Sequence, residues 1–573
     1  MKPILVRYSM PILLAALTVL AACRGDEPMP PEVSQILRQT VETQTLPASL
    51  KDQKEQVRAW EEMRRFYAAR QFQPAWSDSR GPLPEARELL AAIDQLSAQG
   101  IDPRRYRKDE LAALLPEKGW KDLADDPREQ RRVADLDAQL TFTFLTIATH
   151  TAVGRLQPDT VRTDWYTKPR NLDVDGLLNR ALQSQEEGAI QKALRGMTPP
   201  GEEYARLSQV LDRYQQIAEK GGWPSIPAGP ELKPGDGGPR VAALRARLAA
   251  EGDLAANAAA GAAFDEPLAQ AVSRFQRRNG LEVTGKVDEA TLAALNVPAE
   301  DRLRQLVVNM ERWRWMPSDL GERYIWVNIP EFRMDLFEGD RPAVSMRVVV
   351  GKEQSRTPVF SDKMEYLELN PFWNLPDSII NEEVLPALAK NPDYLASHEM
   401  EVVQGWEADA PAVSSYDPSQ LGKPGSEYRL RQRPGAANPL GKVKFMFPNR
   451  FDIYLHDTPA DHLFDRAERD FSHGCIRLER PIELAQYLLK DDPKWTPEAI
   501  QAKLASGETT SVPLPRPLAV HLVYFTAWAD ENGVVHFRDD VYGHDAKLAA
   551  ALMEEPPVPL DLPAIRGDVR AAR

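Results

Sequence analysis

Phe451-Asp452-Ile453-Tyr454-Leu455-His456, followed at Ser472-His473-Gly474-Cys475-Ile476-Arg477 by a glycine set directly before a cysteine, is the part of the chain on which fold and chemistry turn. Alternation along the first segment predicts a strand with Ile453 and Leu455 on one face and Asp452, Tyr454 and His456 on the other, so one face is core and the other polar. In the second segment Gly474 lets the backbone turn tightly, so that the amides of Gly474 and Cys475 stand beside the sulfur as donors for an oxyanion. A thiol attacks a carbonyl only as thiolate, and a free pKa of about 8.5 leaves little of that form at neutral pH unless an imidazole takes the proton. His456 is the candidate base. His473, close to Cys475 in the chain, is placed for positioning or for a hydrogen bond near the oxyanion, and Ser472 for local hydrogen bonding, with no second base set for it. Tyr454 shares the face of His456, and two readings stay open: a donor to oxyanion or substrate, or a packed aromatic with a satisfied hydroxyl.

Strand composition surrounds this segment. Tyr324 to Ile329, Arg333 to Phe337 and Val344 to Val350, closed by Gly351, alternate with period two, as do Lys442 to Phe447 upstream of the site. Between Pro376 and Leu440 the strand pattern lapses, and Ser378 to Lys390 reads as a helix with Glu382 and Glu383 in its first half, so an insertion interrupts the sheet. Arg429, Arg431 and Arg433 recur there at alternate positions, as a solvated strand face or as contacts to an anionic ligand. A helix follows over Pro481 to Leu489; then Val520 to Thr526 and Val534 to Arg538 flank Glu531-Asn532-Gly533, a hairpin signal that closes the sheet.

Upstream, Gly221 to Gly238 is rich in Pro and Gly and reads as a linker. After it, Val241, Leu244 and Leu248, then Leu268, Val272 and Phe275, then Leu292 and Leu295 recur at helical spacing, enough for three short helices around one small core. Residues 36–228 read as mostly helical, on the three- and four-residue intervals of Ala86 to Ser97 and Leu136 to Ile147, with no visible catalytic constellation. Arg70-Gln71-Phe72-Gln73-Pro74-Ala75-Trp76 is read there as aromatic packing sooner than as a surface. At the start, Lys2 and Arg7 precede an apolar run from Pro11 to Ala22 that is short for a membrane span, which identifies residues 1–22 as a secretory signal.

Several motifs carry family resemblances. Leu20-Ala21-Ala22-Cys23 resembles the lipobox of bacterial lipoproteins, which implies that Cys23 is acylated and anchors the protein, with Arg24 favouring the outer over the inner membrane, and that residues 23–35 form a tether. Leu232-Lys233-Pro234-Gly235, Phe264-Asp265, Phe275-Gln276, Gly280-Leu281 and Leu295-Asn296 resemble the peptidoglycan-binding module of cell-wall enzymes, over residues 229–298. Ser472-His473-Gly474-Cys475, preceded by His456-Asp457-Thr458-Pro459, resembles the signature of the YkuD-type L,D-transpeptidases. Asn309-Met310-Glu311-Arg312-Trp313-Arg314-Trp315, Asn370-Pro371-Phe372-Trp373, Pro434-Gly435 and Asn438 resemble the large multi-domain Gram-negative members.

The resemblance implies a multi-domain α and β chain: a helical N-terminal domain, a small three-helix peptidoglycan-binding module, and a β-rich L,D-transpeptidase catalytic domain over 299–545 with an inserted lid at about 376–440, then a tail over 546–573. It implies a periplasmic enzyme in which Cys475 takes an acyl group from one peptidoglycan stem and passes it to an amine of another. Arg477 would bind a stem carboxylate, or else pair internally with an acidic residue, and Ser472 and Trp373 belong with it among the substrate-binding residues. Hydrolysis in place of transfer, and a non-catalytic wall-binding scaffold, stand as alternatives.

Bulk properties agree. The 573 residues, 43% hydrophobic and 27% charged, suffice for several globular domains. A net charge of -14 without a basic tract gives no footprint for nucleic acid. Only two cysteines exist, Cys23 and Cys475, and an acylated Cys23 forms no disulfide, so Cys475 is a lone thiol in an exported chain. His456, His462, His473 and Cys475 lack the spacing of a common zinc pattern, so no metal or cofactor is expected. The expected partners are peptidoglycan stem peptides and glycan, the membrane through the anchor, and other cell-wall synthases, for a monomer.

Overall fold

From Leu136 to Val153 the helix Pro127–Val153 is buried around its whole circumference, and such a helix has to sit at the centre of a bundle. In the computed structural model, which describes residues 28–42, 54–167, 170, 173–184, 186–405, 407 and 410–554, the helices Pro31–Val41, Lys54–Ala69 and Pro84–Asp94 pack around it. The carboxylate of Asp137, inside this core, accepts from the Tyr67 hydroxyl at 2.7 Å and from the backbone N–H groups of Ala75 at 2.9 Å and Trp76 at 2.7 Å. The aromatics of the Arg70–Trp76 stretch are therefore packed inward, with Phe72 buried and Trp76 fully so.

Two expected boundaries shift. The segment expected to be tether enters the helix Pro31–Val41, whose Val33 and Leu37 join the helical core; Cys23 and the signal lie outside the described residues. The helix Glu202–Glu219, expected within the helical domain, instead gives Tyr204, Leu207, Leu211 and Tyr214 to the core of the β-rich part. Helices Pro239–Glu251, Glu266–Arg278 and Glu289–Leu295 enclose their own small core through Leu244, Leu248, Leu268, Phe275 and Leu295. Asp265 and Asp288 cap the latter two by accepting from Leu268 N–H and Thr291 N–H.

The β-rich part contains β1 (Arg323–Asn328), β2 (Arg333–Glu338), β3 (Arg341–Gly351), β4 (Phe360–Leu369), β5 (Trp373–Asn374), β6 (Met400–Gln404), β7 (Tyr428–Gln432), β8 (Val443–Met446), β9 (Leu455–His456), β10 (Asp470–Ser472), β11 (Ile476–Leu478), β12 (Thr510–Val523), β13 (Ala527–Ala529) and β14 (Val535–Phe537). The main sheet runs β10-β3-β11-β9-β8-β4-β12-β1-β2 and closes on itself because β2 also pairs with β3.

The structure corrects four further expectations. The strand over Phe451 to His456 shrinks to β9, because the Asn449 side chain donates to the carbonyls of Phe447 and Ile453, accepts from Phe451 N–H, and folds that backbone into a turn. The insertion is not free of strands: β5, β7 and β6 form a three-stranded sheet with its own core of Leu375, Ile380, Val402 and Leu430. The strand expected from Val520 is the end of the long β12, which carries Pro513, Pro515 and Pro517 where its register against β4 slips, and the Glu531–Gly533 turn joins β13 and β14, a separate two-stranded sheet. Residues 546–554, expected as tail, lie in the helix His544–Glu554, which buries Leu548 and Leu552. The helix over Ser378 to Lys390 forms with a π turn at Ile380–Val384, where Pro386 removes a backbone donor from the ladder. No helix among the described residues is long and apolar enough to cross a membrane.

The helix Ala299–Trp315 joins the helical region to the barrel. Within it Glu311, fully buried, accepts from the backbone N–H groups of Arg155 and Leu156 and from Arg314 at 3.0 Å. Gly154 approaches so closely, at φ 92°, that a Cβ there would meet Glu311 Oε1 at 2.6 Å. Removing one partner of a buried, hydrogen-bonded ion pair strands the other charge, at a cost of roughly 3–5 kcal/mol. Glu311→Ala is therefore expected to lower the thermal midpoint by several degrees in a melt followed by circular dichroism; an unchanged midpoint would show that this junction contributes little.

Candidate active site

Strand β11 lies parallel to β9, with Ile476 opposite Leu455 and Arg477 opposite His456, while β8 flanks β9 on its other side with Lys444 opposite His456. Leu455, Ile476 and Phe445 point into the barrel and are fully buried. On the opposite face, by strand alternation, stand His456, Arg477 and Lys444, joined by Tyr454 and Cys475 from the residues just before β9 and β11. These five side chains, with Trp373, Ser472 and His473, line one cavity of about 660 Å³ roofed by Asn374, Leu375, Pro376 and Ile379 of the insertion.

The electrostatics favour a neutral resting pair. Burial pushes the Cys475 thiol above its usual range, although the Tyr454 backbone and hydroxyl, both hydrogen-bonded towards the sulfur, and the Lys444 ammonium pull the other way. Burial also lowers His456 to about 3, helped by the neighbouring Arg477 guanidinium. His456 Nδ1 lies 2.5 Å from the Asp457 carbonyl, which fixes the proton on Nδ1 and leaves Nε2 as the basic nitrogen. Burial, then the adjacent thiol, hold the Tyr454 phenol well above its normal range, against a hydrogen bond from Trp373. Tyr454 is thus packed, with its hydroxyl hydrogen-bonded towards the sulfur.

Around the cysteine the backbone is braced. Ser472 Oγ donates to the Cys475 carbonyl at 2.6 Å and accepts from Gly474 N–H at 3.1 Å, the local role expected for a serine there. That bond occupies one of the two amides expected to face an oxyanion and leaves the Cys475 N–H. Gly474 itself has φ 119°, and a Cβ on it would touch Ile453 Cδ1 at 3.3 Å. His473 Nε2 lies 3.0 Å from Glu383 Oε1 of the insertion helix. Arg477 has no ion pair among the described residues, so the internal-pair alternative finds no partner and the guanidinium faces the cavity. Arg431 and Arg433 both pair with Glu401, at 2.6 and 2.7 Å, and so are structural charges of the insertion. His462 does not line the cavity, and among the described residues no three ligand-type side chains converge as a metal site would require.

Two residues escape the sequence reading. Lys444 sits over the Tyr454 ring at 4.2 Å and pairs with Glu368, 3.9 Å away. The alternation of Lys442 to Phe447 could have placed it. Thr357 could not have been found: from a loop far upstream its hydroxyl donates to the Gly474 carbonyl at 2.7 Å and accepts from Gly351 N–H at 2.9 Å, while Tyr542 braces the same turn through Thr357 N–H at 3.3 Å and the Gly351 carbonyl.

Comparison with known proteins finds a matching family model for three stretches of the chain. Residues 322–497 match the model described as an L,D-transpeptidase catalytic domain (YkuD), 237–295 that of a "Putative peptidoglycan binding domain", and 61–211 that of a "Scaffold domain". A Haemophilus influenzae protein named "Putative L,D-transpeptidase" is 36% identical over 250 residues, 43% of this chain, and the chain spans 49%, about half, of that relative's length. Among solved structures, an L,D-transpeptidase from Xylanimonas cellulosilytica aligns at 16% identity over 52% of this chain and 99% of its own, with a TM-score of 0.17. A fused Zn-dependent amidase/peptidase/peptidoglycan-binding protein from Clostridium acetobutylicum aligns at 13% over 52% and 100%, with a TM-score of 0.15.

Two outcomes are expected at this site. With His456 at about 3, the imidazole stays unprotonated as pH falls, so the rate of Cys475 acylation should hold from neutrality to about pH 5 and fail only nearer the imidazole's own pKa. A half-maximal point near 6.5 in a pH–rate profile would contradict this. Thr357→Val strands a buried carbonyl and a buried amide, and is expected to slow Cys475 alkylation by iodoacetamide roughly tenfold or more, whereas Thr357→Ser retains the rate.

Proposed function

We propose that this chain, which carries an L,D-transpeptidase catalytic domain beside a peptidoglycan-binding domain, forms 3-3 cross-links between peptidoglycan stems through a thioester on Cys475. The observation that carries this reading is the shared sheet face of Cys475, His456, Tyr454 and Arg477 above one roofed cavity.

In the first half-reaction the Cys475 sulfur attacks the carbonyl of the L-centre in a tetrapeptide donor. His456 Nε2 takes the thiol proton as the C–S bond forms and returns it to the departing amine of the terminal D-residue. A neutral thiol and a neutral imidazole lining one cavity suit this, because the proton moves only when a carbonyl is in place. The Cys475 N–H and the Tyr454 hydroxyl are the donors left for the developing oxyanion, with Lys444 behind them. Arg477 binds a stem carboxylate. In the second half-reaction an amine on another stem forms the C–N bond, and the C–S bond breaks. Water competes for the thioester, and the insertion, through Trp373 to Ile379 over the cavity, supports a lid role.

The matches to domains acting on peptidoglycan support a location in the periplasm or at the cell wall. We further propose anchoring there, at the outer membrane, through a lipidated Cys23, on the strength of the Leu20-Ala21-Ala22-Cys23 sequence. Hydrolysis of the thioester is the second reading, favoured by the openness of Cys475 to a cavity large enough for water.

Intact mass after incubation with a carbapenem is expected to show the drug adduct on the wild type and none on Cys475→Ala; an adduct on both overturns the assignment. With tetrapeptide muropeptides, mass spectrometry should find new stem dimers. His456→Ala should lower their rate by roughly 10²–10⁴-fold. Tripeptides without dimers would instead identify a hydrolase.

A further inference from the structure

A second cavity, of about 460 Å³, opens on the other side of the Ser472–Cys475 loop, and Phe451, Ile453 and His473 line both cavities. One wall comes from the helical N-terminal region. Trp165 forms a parallel bridge with Val359, Tyr166 N–H donates to the Val359 carbonyl at 2.8 Å, and Val359 N–H donates to that of Asp164, also at 2.8 Å. Buried Trp165, packed on Trp315 and Phe525, locks this graft in place. Its two neighbours are thereby held at the cavity: Tyr166, 44% exposed and laid against Phe451 at 4.8 Å, and the Asp164 carboxylate.

The charge of the two cavities differs. The one holding Cys475 is lined by the cations Lys444 and Arg477. The second is lined by Asp164 and Glu353, with Arg356 between them, donating to Asp164 at 3.5 Å and paired with Glu353 at 3.6 Å, and with His544 Nε2 3.6 Å from Asp164. Two carboxylates around one guanidinium suit a group that carries an ammonium next to a carboxylate. The cavity holding Cys475 sets one carboxylate, Asp452, against its two cations.

We infer that this second cavity is the acceptor site, that it takes the zwitterionic amino-acid head of the incoming stem, and that the helical region, through Asp164 and Tyr166, selects the acceptor. This rests on the transpeptidase reading above. The ammonium docks on Asp164 and Glu353, its carboxylate on Arg356, and its apolar stem against Tyr166. One proton leaves to solvent by way of those carboxylates. The freed amine then attacks the thioester carbonyl past His473; as the C–N bond forms and the C–S bond breaks, the second proton passes through His456 to the Cys475 sulfur.

The test uses the full chain and its Asp164→Asn and Tyr166→Ala variants, with a tetrapeptide stem as donor and a tripeptide stem ending in a diamino acid as acceptor. Acylation is read as release of the terminal D-residue and transfer as dimer. Losing one charge-assisted contact is expected to raise the acceptor KM roughly tenfold or more relative to the donor KM, and to shift the thioester towards hydrolysis. The inference is overturned if the two constants move together, or if neither moves. Should the wild type release no D-residue at all, the transpeptidase reading fails, a result distinct from acylation with unaltered acceptor dependence.

Discussion

The parallel pairing of β9 with β11 is the constraint on which the site depends. A strand places alternate residues on opposite faces, so setting Leu455 beside Ile476 sends both into the barrel and leaves His456 and Arg477 facing out together. Tyr454 and Cys475, one step earlier on each chain, follow the same parity even though the backbone there has left regular strand geometry. A slip of one residue would turn the imidazole into the barrel and away from the cavity that Cys475 lines. Register against such a slip is held by the apolar partners, since Leu455, Phe445 and Ile476 are all fully buried.

Burial then tunes the groups that the register assembles. The same dry environment that raises the thiol lowers the imidazole, so each favours its uncharged form until a substrate arrives. The cations Lys444 and Arg477 stand at the border of this region and oppose protonation of the imidazole while favouring negative charge on sulfur. The insertion contributes walls rather than reacting groups: its own sheet and core give it rigidity, and Glu383 ties it to His473 of the cysteine loop.

Buried carboxylates hold the parts of the chain together. Asp137 gathers the N-terminal bundle, Glu311 fastens that bundle to the barrel, and Glu251 accepts from Tyr214, Arg247 and Arg278, so the three-helix module is pinned to the helix Glu202–Glu219. A buried carboxylate is stable only when its acceptor sites are filled, which makes each of these junctions specific in geometry. This explains why Asn309 to Trp315 reads as a motif while carrying none of the reacting groups: Glu311, Arg314 and Trp315 are interface residues.

Local pattern sufficed for the elements with a strong period and for the cysteine loop. The strands Arg323–Asn328 and Arg333–Glu338, the three-helix module, the Gly-Cys turn and the polar face shared by Tyr454 and His456 all follow from side-chain parity and turn chemistry, which neighbours in the chain determine by themselves. Weakly patterned elements did not show: Tyr428–Gln432 is laced with arginines that pair across the insertion, Thr510–Val523 is broken by three prolines, and His544–Glu554 is short. Partners distant in sequence lay beyond any local reading. Thr357 reaching Gly474, Glu311 seated under Gly154, and Asp164 carried to the cysteine loop all depend on barrel closure and domain docking. Only the folded chain decides such contacts, because they are set by which buried groups must satisfy one another and not by the order of residues.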